Sequence, residues 1–496
     1  METEIKLLMP ASSRATVEEH PAFAGVESRR TRNVSNYYDT EDFALRARGV
    51  SLRIRRSDDH FIQTVKSLDG TPGFASRHEW EWPIASETLD ADALARDPDA
   101  LALIGDDLHR LAPLFTTDVE RTARVLLLEG KTTVEAIIDE GEVRSGERRQ
   151  PIGEVELELK GGPIGPLLRL ASDLARQGSL RFGPEAKSER GYALLTDETL
   201  PHRAGELTLP KHVVLGEAFP LMLGSAMREF ALDLAPAARG DVEGVHRLRA
   251  AIRKMRTLLV LFAPHLDDEV TARFNAELRD FGRVLGGGRD WDVFLTETLA
   301  DAGRDLGEDA VEALRSPADA RRSQAHAAVK AAAEGSLPTD LLLGLSIWTA
   351  DTGWMKDPSE AETPFYDVLP GLLERLERKV LKRGRHLKSL DVEALHELRK
   401  GMKKLRYACE DVTSLFHRGP AKRYIGAIKK VLQDLGRMND VAVTAERLAK
   451  LADPNRPGLA TATTALLAWS EKRRRASARD LRRRWRKFRH ADPFWS

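Results

Sequence analysis

The chain has 496 residues, 42% hydrophobic and 31% charged, which excludes a disordered chain and predicts two or three domains. Its 77 basic and 77 acidic side chains cancel, but residues 1–200 hold 26 basic against 36 acidic ones, which leaves 51 against 41 for the remainder. This imbalance predicts different partners for the two halves, metal cations for the first and anions for the second.

The single cysteine, Cys409, excludes an internal disulfide and a cysteine-rich zinc site, and it predicts a reducing, cytoplasmic setting. Cys409 lies in a helical pattern, where we expect it to pack inside the protein. The N-terminus has no basic segment followed by an apolar run, and no apolar stretch reaches the length of a membrane span. We therefore expect neither a secretory signal nor a membrane partner.

Residues 1–200 alternate between apolar and polar positions in short runs, which predicts a domain built mainly of β-strands. The strand-like runs lie near 2–9, 33–39, 50–57, 60–67, 77–84, 122–129, 133–139 and 153–160. Helical patterns lie near 89–95, 100–112 and 164–177. The segment 201–212 breaks both periodicities and is the predicted linker.

Several of these strands carry charged side chains on one face and apolar ones on the other, because successive side chains of a strand point to opposite sides. The charged faces comprise Glu2, Glu4 and Lys6; Arg53 and Arg55; Glu79 and Glu81; and Glu154, Glu156 and Glu158. A solvated outer surface explains one such strand, but the repetition favours a barrel with a charged lumen.

Two chemistries are combined on these faces. The carboxylates suit a hard divalent cation, since Mg²⁺ prefers carboxylate oxygens, water and phosphate. Basic side chains on the same elements can neutralise a phosphate chain; they are Lys6, Arg53, Arg55, Lys66, Arg121 and Lys187. Together they suit metal-assisted hydrolysis of a phosphoanhydride bond. A Gly-rich nucleotide loop is not apparent, and Gly286-Gly287-Gly288 is predicted to end a helix.

From about residue 213 the pattern is helical, and it contains an internal duplication at an offset of 150 residues. Residues 242–249 match residues 392–399, and the match continues as far as Val293 and Val443. Shared His, Arg, Lys, Leu-Gly and Asp residues in register predict two copies of one helical unit, related by a pseudo-two-fold axis. Residues 303–324 and 351–364 are less regular and are predicted to be loops or a helical insertion.

Each copy carries a stripe of basic side chains on one helix face, because the residues recur at three- and four-residue spacing. The stripes are His246, Arg249, Arg253 and Arg256 in the first copy, and His396, Arg399, Lys403 and Arg406 in the second. Carboxylates of neighbouring helices explain one such stripe as a solvated face, whereas the duplication favours the binding of a polyanion. Asp290 and Asp440 are the alternative partners of these basic side chains.

The last helix adds a basic run over 472–489, interleaved with Trp485 and Phe488. Such a run binds nucleic acid, polyphosphate or acidic membranes, or keeps a surface solvated, and nothing in its pattern selects among these.

The first half resembles the CYTH domain, the triphosphate tunnel metalloenzyme family, over residues 1–197. The motifs that carry the resemblance are Glu2-x-Glu4-x-Lys6, Tyr38-Asp39-Thr40, Leu52-Arg53-Ile54-Arg55, Thr64-Val65-Lys66, Glu79, Arg121, Asp139-x-Gly141, Glu154-x-Glu156-x-Glu158 and Lys187-Ser188-Glu189-Arg190-Gly191-Tyr192. Ala186 departs from the serine that the family often has before the lysine.

The resemblance implies the roles of these side chains. Metal and the attacking water would be held by Glu2, Glu4, Glu154, Glu156 and Glu158, and phosphates would be bound by Lys6, Arg53, Arg55, Lys66, Arg121 and Lys187. The implied catalytic set is Glu2, Glu4, Lys6, Glu154 and Glu156.

The second half resembles the CHAD domain, a duplicated helical module associated with inorganic polyphosphate. The resemblance rests on His246 and His396 with the basic residues that follow them, and on Leu285-Gly286-x-x-Arg289-Asp290-x-Asp292-Val293. The second copy reads Leu435-Gly436-x-x-Asn439-Asp440-x-Ala442-Val443, which predicts unequal contributions from the two copies.

The expected fold class is therefore α+β, with an antiparallel β-barrel tunnel and flanking helices over 1–200, a linker over 201–212, and an all-α duplicated helical bundle over 213–496. The resemblances imply a cytoplasmic, Mg²⁺- or Mn²⁺-dependent inorganic triphosphatase that binds polyphosphate through its helical half. Thiamine triphosphatase, nucleoside triphosphatase and class IV adenylate cyclase share the phosphate site and stay open, as does a polyphosphate scaffold without turnover. A polyphosphate-binding neighbour favours an inorganic substrate over a nucleotide. We do not expect a nucleic acid partner.

Overall fold

The computed structural model describes residues 3–67, 78–196, 207–453 and 456–496, which form two compact units. One unit contains the described residues up to 196 together with Gly335–Asp351, and the other contains 207–334 and 352–496. An antiparallel sheet dominates the first, and the second is built of helices, which confirms the expected α+β class.

Nine antiparallel strands form the sheet of the first unit, in the spatial order β5-β4-β3-β2-β6-β7-β8-β1-β9. The strands are β1 Thr3–Leu8, β2 Arg29–Asp39, β3 Val50–Ser57, β4 His60–Ser67, β5 His78–Ile84, β6 Ala112–Leu128, β7 Thr132–Ser145, β8 Arg148–Gly161 and β9 Arg181–Phe182. Among the described residues the hydrogen-bonded ladder is not closed, so the sheet is open where a closed barrel was expected, and its order is consistent with a tunnel-like fold. Strand β9 is short: the N–H of Gly183 still donates to the Lys6 carbonyl at 3.0 Å, and Pro184 after it has no N–H to continue the ladder.

Short helices flank this sheet. They are α1 Arg14–Glu18, α2 Ala44–Ala47, α3 Ala91–Leu94, α4 Pro98–Ile104, α5 Gly165–Gly178 and α6 Lys187–Leu195. The side chains of Asp90 and Asp97 cap α3 and α4 by accepting hydrogen bonds from backbone N–H groups of their first turns. These two helices pack with Leu52, Ile54 and Trp82, which turns the apolar face of β3–β5 inward and leaves its charged face on the opposite side.

Residues 201–206 of the predicted linker lie outside the described residues. From residue 207 onward, the described part of the chain contains ten α-helices of 8 to 34 residues. They are α7 Leu215–Ala238, α8 Val242–Leu261, α9 Asp268–Val293, α10 Leu299–Leu306, α11 Glu308–Glu334, α12 Leu337–Trp348, α13 Phe365–Arg383, α14 Val392–Asp411, α15 Arg418–Leu451 and α16 Pro457–Arg489. Helices α7, α8 and α9 begin at 215, 242 and 268, and α13, α14 and α15 begin at 365, 392 and 418, so the offset of 150 residues is kept throughout. The duplication predicted from the sequence is therefore a duplicated three-helix unit, with α8 packed against α14.

Most of 303–324 lies in α10 and α11, which corresponds to the helical insertion and not to the loops that were the alternative. One local prediction in the helical half was wrong. The three glycines Gly286, Gly287 and Gly288 lie inside α9 instead of ending it. Gly288 is tightly packed, because a Cβ there would lie 3.1 Å from Val329, whereas a Cβ on Gly286 would make an ordinary contact with the Arg249 guanidinium at 3.6 Å.

Helix α12 belongs to the sheet-containing unit, although the residues before and after it belong to the helical one. It packs on α5 and β9, and the backbone N–H of Phe182 donates to the Thr339 hydroxyl at 2.9 Å. The apolar run Leu341–Leu343 is thereby buried. The domain boundaries drawn from the sequence stay a prediction, and this helix interrupts the range 213–496. None of the helices that the structure describes is both long and apolar enough to cross a membrane.

Candidate functional site

The register of the sheet gathers the charged side chains on one face, because residues opposite each other in antiparallel strands point to the same side. Lys6 lies opposite Glu156, Asp139 lies opposite both Arg121 and Glu154, and Arg53 lies opposite Tyr37. We call this surface the polar face; it comprises Glu4, Lys6, Tyr37, Arg53, Arg55, Lys66, Glu79, Glu81, Arg121, Asp139, Glu154, Glu156 and Glu158.

Three buried carboxylates form the centre of the polar face. Asp139, Glu154 and Glu156 each offer an oxygen, and these oxygens lie within 4.8 Å of one another. Burial alone would raise the pKa of Glu156, but Lys187, Lys6 and Arg121 hold that pKa well below its ordinary value. Glu156 is therefore anionic at neutral pH, and the oxygen donors of the cluster fit a hard divalent cation.

Basic side chains surround this acidic cluster. The Lys187 ammonium contacts all three carboxylates, at 2.7 Å from Asp139 Oδ2 and 2.9 Å from Glu156 Oε1. Lys6 Nζ lies 2.8 Å from Glu156 Oε1. Arg121 forms a bidentate ion pair with Asp139, in which Nε donates to Oδ1 at 2.9 Å and Nη2 donates to Oδ2 at 2.7 Å. Although burial opposes the charged form, these carboxylates raise the pKa of Lys187 well above its ordinary value.

Helix α6 delivers two of these cations to the sheet. Lys187 is its first residue, and Arg190, one turn later, donates to Glu154 Oε2 at 2.9 Å. Gly191 lets the helix approach closely, because a Cβ there would collide with the Phe115 ring on β6. Ala186 caps the helix without a side-chain hydrogen bond, so the hydroxyl common in the family is replaced by no other group at this position.

The other half of the polar face is a basic region on β3 and β4. Lys66 Nζ lies 2.8 Å from Glu79 Oε2, and Arg55 Nη2 lies 3.2 Å from Glu81 Oε1. Burial alone would raise the pKa of Tyr37, but the charge and hydrogen bond of Arg53 lower it. Arginine and lysine side chains held in this way present donors to a phosphate chain.

The structure places the predicted site residues at different depths. Glu154, Glu156 and Lys6 belong to the central cluster. Glu4 lies 3.7 Å from Lys6 and opposite Glu158, whose carboxylate is 2.5 Å from Lys160 and outside the three-carboxylate cluster. Glu2 lies outside the described residues.

Asp139 and Arg190 were not among the predicted site residues, although both stand in motifs quoted for the resemblance. Asp139 completes the acidic cluster and Arg190 pairs with Glu154. The available signals were an acidic residue at the end of the apolar run Ile137-Ile138 and the three-residue spacing from Lys187 to Arg190.

In the helical unit the two basic stripes meet where α8 contacts α14. We call the meeting point the cationic cluster; it comprises Arg249, Arg253, Arg399, Lys403 and Arg406. Arg249 Nη1 lies 3.3 Å from Asp290 Oδ1, and Asp290 also pairs with Arg447. The buried Nε atoms of Arg253, Arg399 and Arg406 have no hydrogen-bond partner among the described residues.

The cationic cluster holds more cations than carboxylates: Arg249 pairs with Asp290, and Arg406 lies 3.8 Å from Glu410. Burial, followed by the charges of Arg399, Arg253 and Arg249, lowers the pKa of Lys403 to about 7. Asp440 carries a raised pKa, chiefly because it is buried. Crowded cations of this kind favour a bound anion, since each one otherwise repels the others.

The remaining stripe residues lie at the edge of the cluster. Arg256 donates to Asn275 Oδ1 at 2.9 Å, and a ring nitrogen of His396 lies 2.7 Å from Asn439 Oδ1. His246 is half-exposed beside Glu243, and burial together with Arg289 lowers its pKa. The neighbouring apolar side chains of α8 are buried; they are Val245, Leu248, Ile252, Met255 and Leu259.

Comparison with known protein families finds a match for each half of the chain, in agreement with the two resemblances. Residues 1–192 match the model of the CYTH domain, and residues 222–449 match that of the CHAD domain. The chain therefore carries a CYTH domain followed by a CHAD domain.

Three individual proteins are similar to parts of the chain. The inorganic triphosphatase of Haemophilus influenzae is 28% identical over 195 residues, 39% of this chain and 54% of that protein, so the chain spans about half the length of this relative. The CHAD domain from the plant Ricinus communis has a TM-score of 0.51 and 24% identity, covering 58% of this chain and 97% of that one. PptA from Streptomyces chartreusis has a TM-score of 0.45 and 19% identity, covering 55% and 99%. The Ricinus structure shows the fold of the helical half.

Proposed function

We propose that the polar face hydrolyses a phosphoanhydride bond of inorganic triphosphate, with Mg²⁺ or Mn²⁺ as cofactor. The observation that carries the proposal is the buried cluster of Asp139, Glu154 and Glu156 in contact with Lys6, Lys187 and Arg121. The match to the CYTH domain and the similarity to the inorganic triphosphatase of Haemophilus influenzae support the proposal.

Some residues of the polar face would bind the substrate and the metal, and others would compensate charge. Lys6 and Lys187 now neutralise the acidic cluster, and a triphosphate offers their ammonium groups oxygens of higher charge density. When the two ammonium groups bind the triphosphate instead, the carboxylates of the acidic cluster would be available to hold the divalent cation, with Glu4 and Glu158 nearby. A bound cation would stabilise the negative charge that develops on the phosphate oxygens. Arg53, Arg55 and Lys66 would fix the rest of the phosphate chain.

A substrate panel tests this proposal. Phosphate release would be measured from tripolyphosphate, thiamine triphosphate, ATP and pyrophosphate with either metal, together with cyclic AMP formation from ATP. We expect kcat/KM for tripolyphosphate to exceed that for the other substrates at least tenfold. Preference for an organic triphosphate would reassign the substrate. Binding of triphosphates without turnover would favour the alternative that the protein is a polyphosphate-binding scaffold. The cytoplasmic location stays a prediction.

We further propose that the CHAD domain binds inorganic polyphosphate on the cationic cluster. The proposal is supported by five converging basic side chains from both repeats and by the buried guanidinium nitrogens that lack a partner among the described residues. A flexible chain of phosphates would satisfy several of these donors at once.

Lys403 makes this binding dependent on pH. Its pKa of about 7 in the free protein must rise when a polyanion neutralises its neighbours, so binding takes up a proton above pH 7. We therefore expect full affinity below that pH and a loss of up to about tenfold per pH unit above it. Titration calorimetry with long-chain polyphosphate at constant ionic strength measures the effect.

Lys403→Arg is the matched control, because an arginine stays charged throughout this range. Its affinity should be nearly constant between pH 7 and pH 8.5. If wild type proves as insensitive to pH as this variant, the assignment of the titrating group to Lys403 is incorrect.

A further inference from the structure

An open cavity of about 1070 Å³ lies in the helical unit, away from the cationic cluster. Its walls come from the start of α13, the residues around the start of α15, and the residues after α16. Aromatic rings line it: Tyr366 and Phe416 have centroids 5.4 Å apart, and Phe416 and Phe494 have centroids 5.0 Å apart. The Tyr366 side chain is 51% exposed, so a ring face is accessible to a ligand.

A shallower cavity of about 420 Å³ continues from it between α15 and α16, with Arg423 lining both. We call it the basic groove; it is lined by Gly419, Lys422, Arg423, Gly426, Ala427, Lys430, Arg484 and Lys487. The α15 residues recur at three- and four-residue spacing and so share one helix face. A Cβ on Gly426 would meet no atom within 4 Å, so the floor of the groove is open.

The basic groove has little internal neutralisation. Within the part of the chain that the structure describes, Arg484 pairs with Asp434 at 3.0 Å, and the other four cations have no carboxylate within ion-pair distance. Lys422 and Lys430 are eight residues apart, which places them about 12 Å apart along α15. Such a row of exposed cations favours a chain of phosphates over a single anion.

The combination of the two cavities distinguishes among polyanions. Proteins that bind single strands combine a basic groove for the phosphates with aromatic rings on which bases stack. Inorganic polyphosphate would occupy the groove but has no ring for the aromatic cavity, and a duplex keeps its base faces stacked internally. We propose that this surface binds single-stranded nucleic acid, with its phosphates on the basic groove and a base stacked in the cavity beside Arg423.

This proposal departs from the sequence-based expectation of no nucleic acid partner. The rings inside the basic run, Trp485 and Phe488, are 4% and 1% exposed and serve the core. The accessible rings come from three separate segments, and only the fold brings them to Arg423.

Binding of a fluorescein-labelled oligonucleotide of about ten nucleotides, without a terminal triphosphate, tests the groove. In Lys422→Ala plus Lys487→Ala we expect at least tenfold weaker binding at low salt. The slope of log affinity against log salt should become shallower by about 1.4, since each single-strand phosphate contact contributes about 0.7. The matched control, Lys472→Ala plus Arg479→Ala, removes two exposed cations of α16 outside the groove and should bind as wild type does.

The base site has its own test. Tyr366→Ala should weaken binding about five- to one-hundredfold and abolish the quenching of an aminopurine base, with the salt slope unchanged. Because Tyr366 is half-exposed, its loss leaves the core intact. Equal affinity for an abasic strand of the same length would overturn the proposal. So would binding that survives loss of the groove lysines but is lost in Arg249→Ala plus Arg399→Ala, because the strand would then lie on the cationic cluster.

Discussion

Glu156→Gln is expected to lower the turnover of tripolyphosphate on the order of 10³-fold, with little change in folding. Glu156 is shared by Lys6 at 2.8 Å, Lys187 at 2.9 Å and Arg121 at 3.1 Å, and it belongs to the buried acidic cluster. The amide keeps the shape of the side chain but removes one anionic donor from the proposed metal site. Loss of about 4 kcal/mol of transition-state stabilisation corresponds to this factor.

Steady-state phosphate release across a range of Mg²⁺ concentrations measures the effect. We expect the half-saturating Mg²⁺ concentration to rise together with the fall in kcat, because the substitution weakens a metal donor. Unchanged metal dependence with the same fall in kcat would assign Glu156 to phosphate positioning through its lysines instead.

The matched control is Glu142→Gln, on β7 beside the site but on the opposite side of the sheet. Its carboxylate pairs with Arg149 at 3.0 Å, and the pair is partly exposed. Because exposed pairs contribute little, this variant should keep wild-type activity and melting temperature. Wild-type turnover in Glu156→Gln would contradict the proposed site.

Arg249→Ala plus Arg399→Ala is expected to weaken polyphosphate binding by on the order of 100-fold or more. One residue comes from each repeat, and both carry lowered pKa values, chiefly because they are buried among other cations. Each charge-assisted hydrogen bond to a phosphate contributes about 1.5–3 kcal/mol, so the loss of two accounts for the factor. The dependence of affinity on salt should become shallower as well.

Stability separates this effect from unfolding. Removal of two cations from a crowded cluster relieves repulsion, so the melting temperature should stay constant or rise. Arg304→Ala plus Arg378→Ala removes side chains that are 80% and 77% exposed and should bind polyphosphate as wild type does. Unchanged affinity in the cluster variant would shift the polyphosphate site to the basic groove on α15 and α16.

Much of the polar face was predictable because a strand has a strict period of two. Lys6 and Glu156 were assigned to charged faces from alternation alone, and the structure places them opposite each other. Asp139 was harder to find, since it stands singly at the end of an apolar run and shows its role only when β7 lies beside β8. Arg190 required the orientation of α6 against the sheet, which no local pattern contains.

In the helical half, too, local patterns were predictable from the sequence, whereas contacts between helices were not. The offset of 150 residues was evident in the sequence, because two copies of one unit keep the same residues in register. The glycine run 286–288 was misjudged, since such a run suggests a helix end, whereas it lies inside α9 and Gly288 packs closely against Val329 of α11. The pattern left open the role of the basic run that contains Trp485 and Phe488, and packing makes these two rings core residues.

The sequence by itself determined the class of each half, the alternating charges of the strands and the repeated basic stripes, because these are properties of local periodicity. Only the tertiary structure decided which charges meet. The acidic cluster joins β7 and β8 and is contacted by Lys187 of α6, and the cationic cluster joins α8 and α14. Electrostatic interactions depend on separation in space and on burial, and neither quantity is set by distance along the chain.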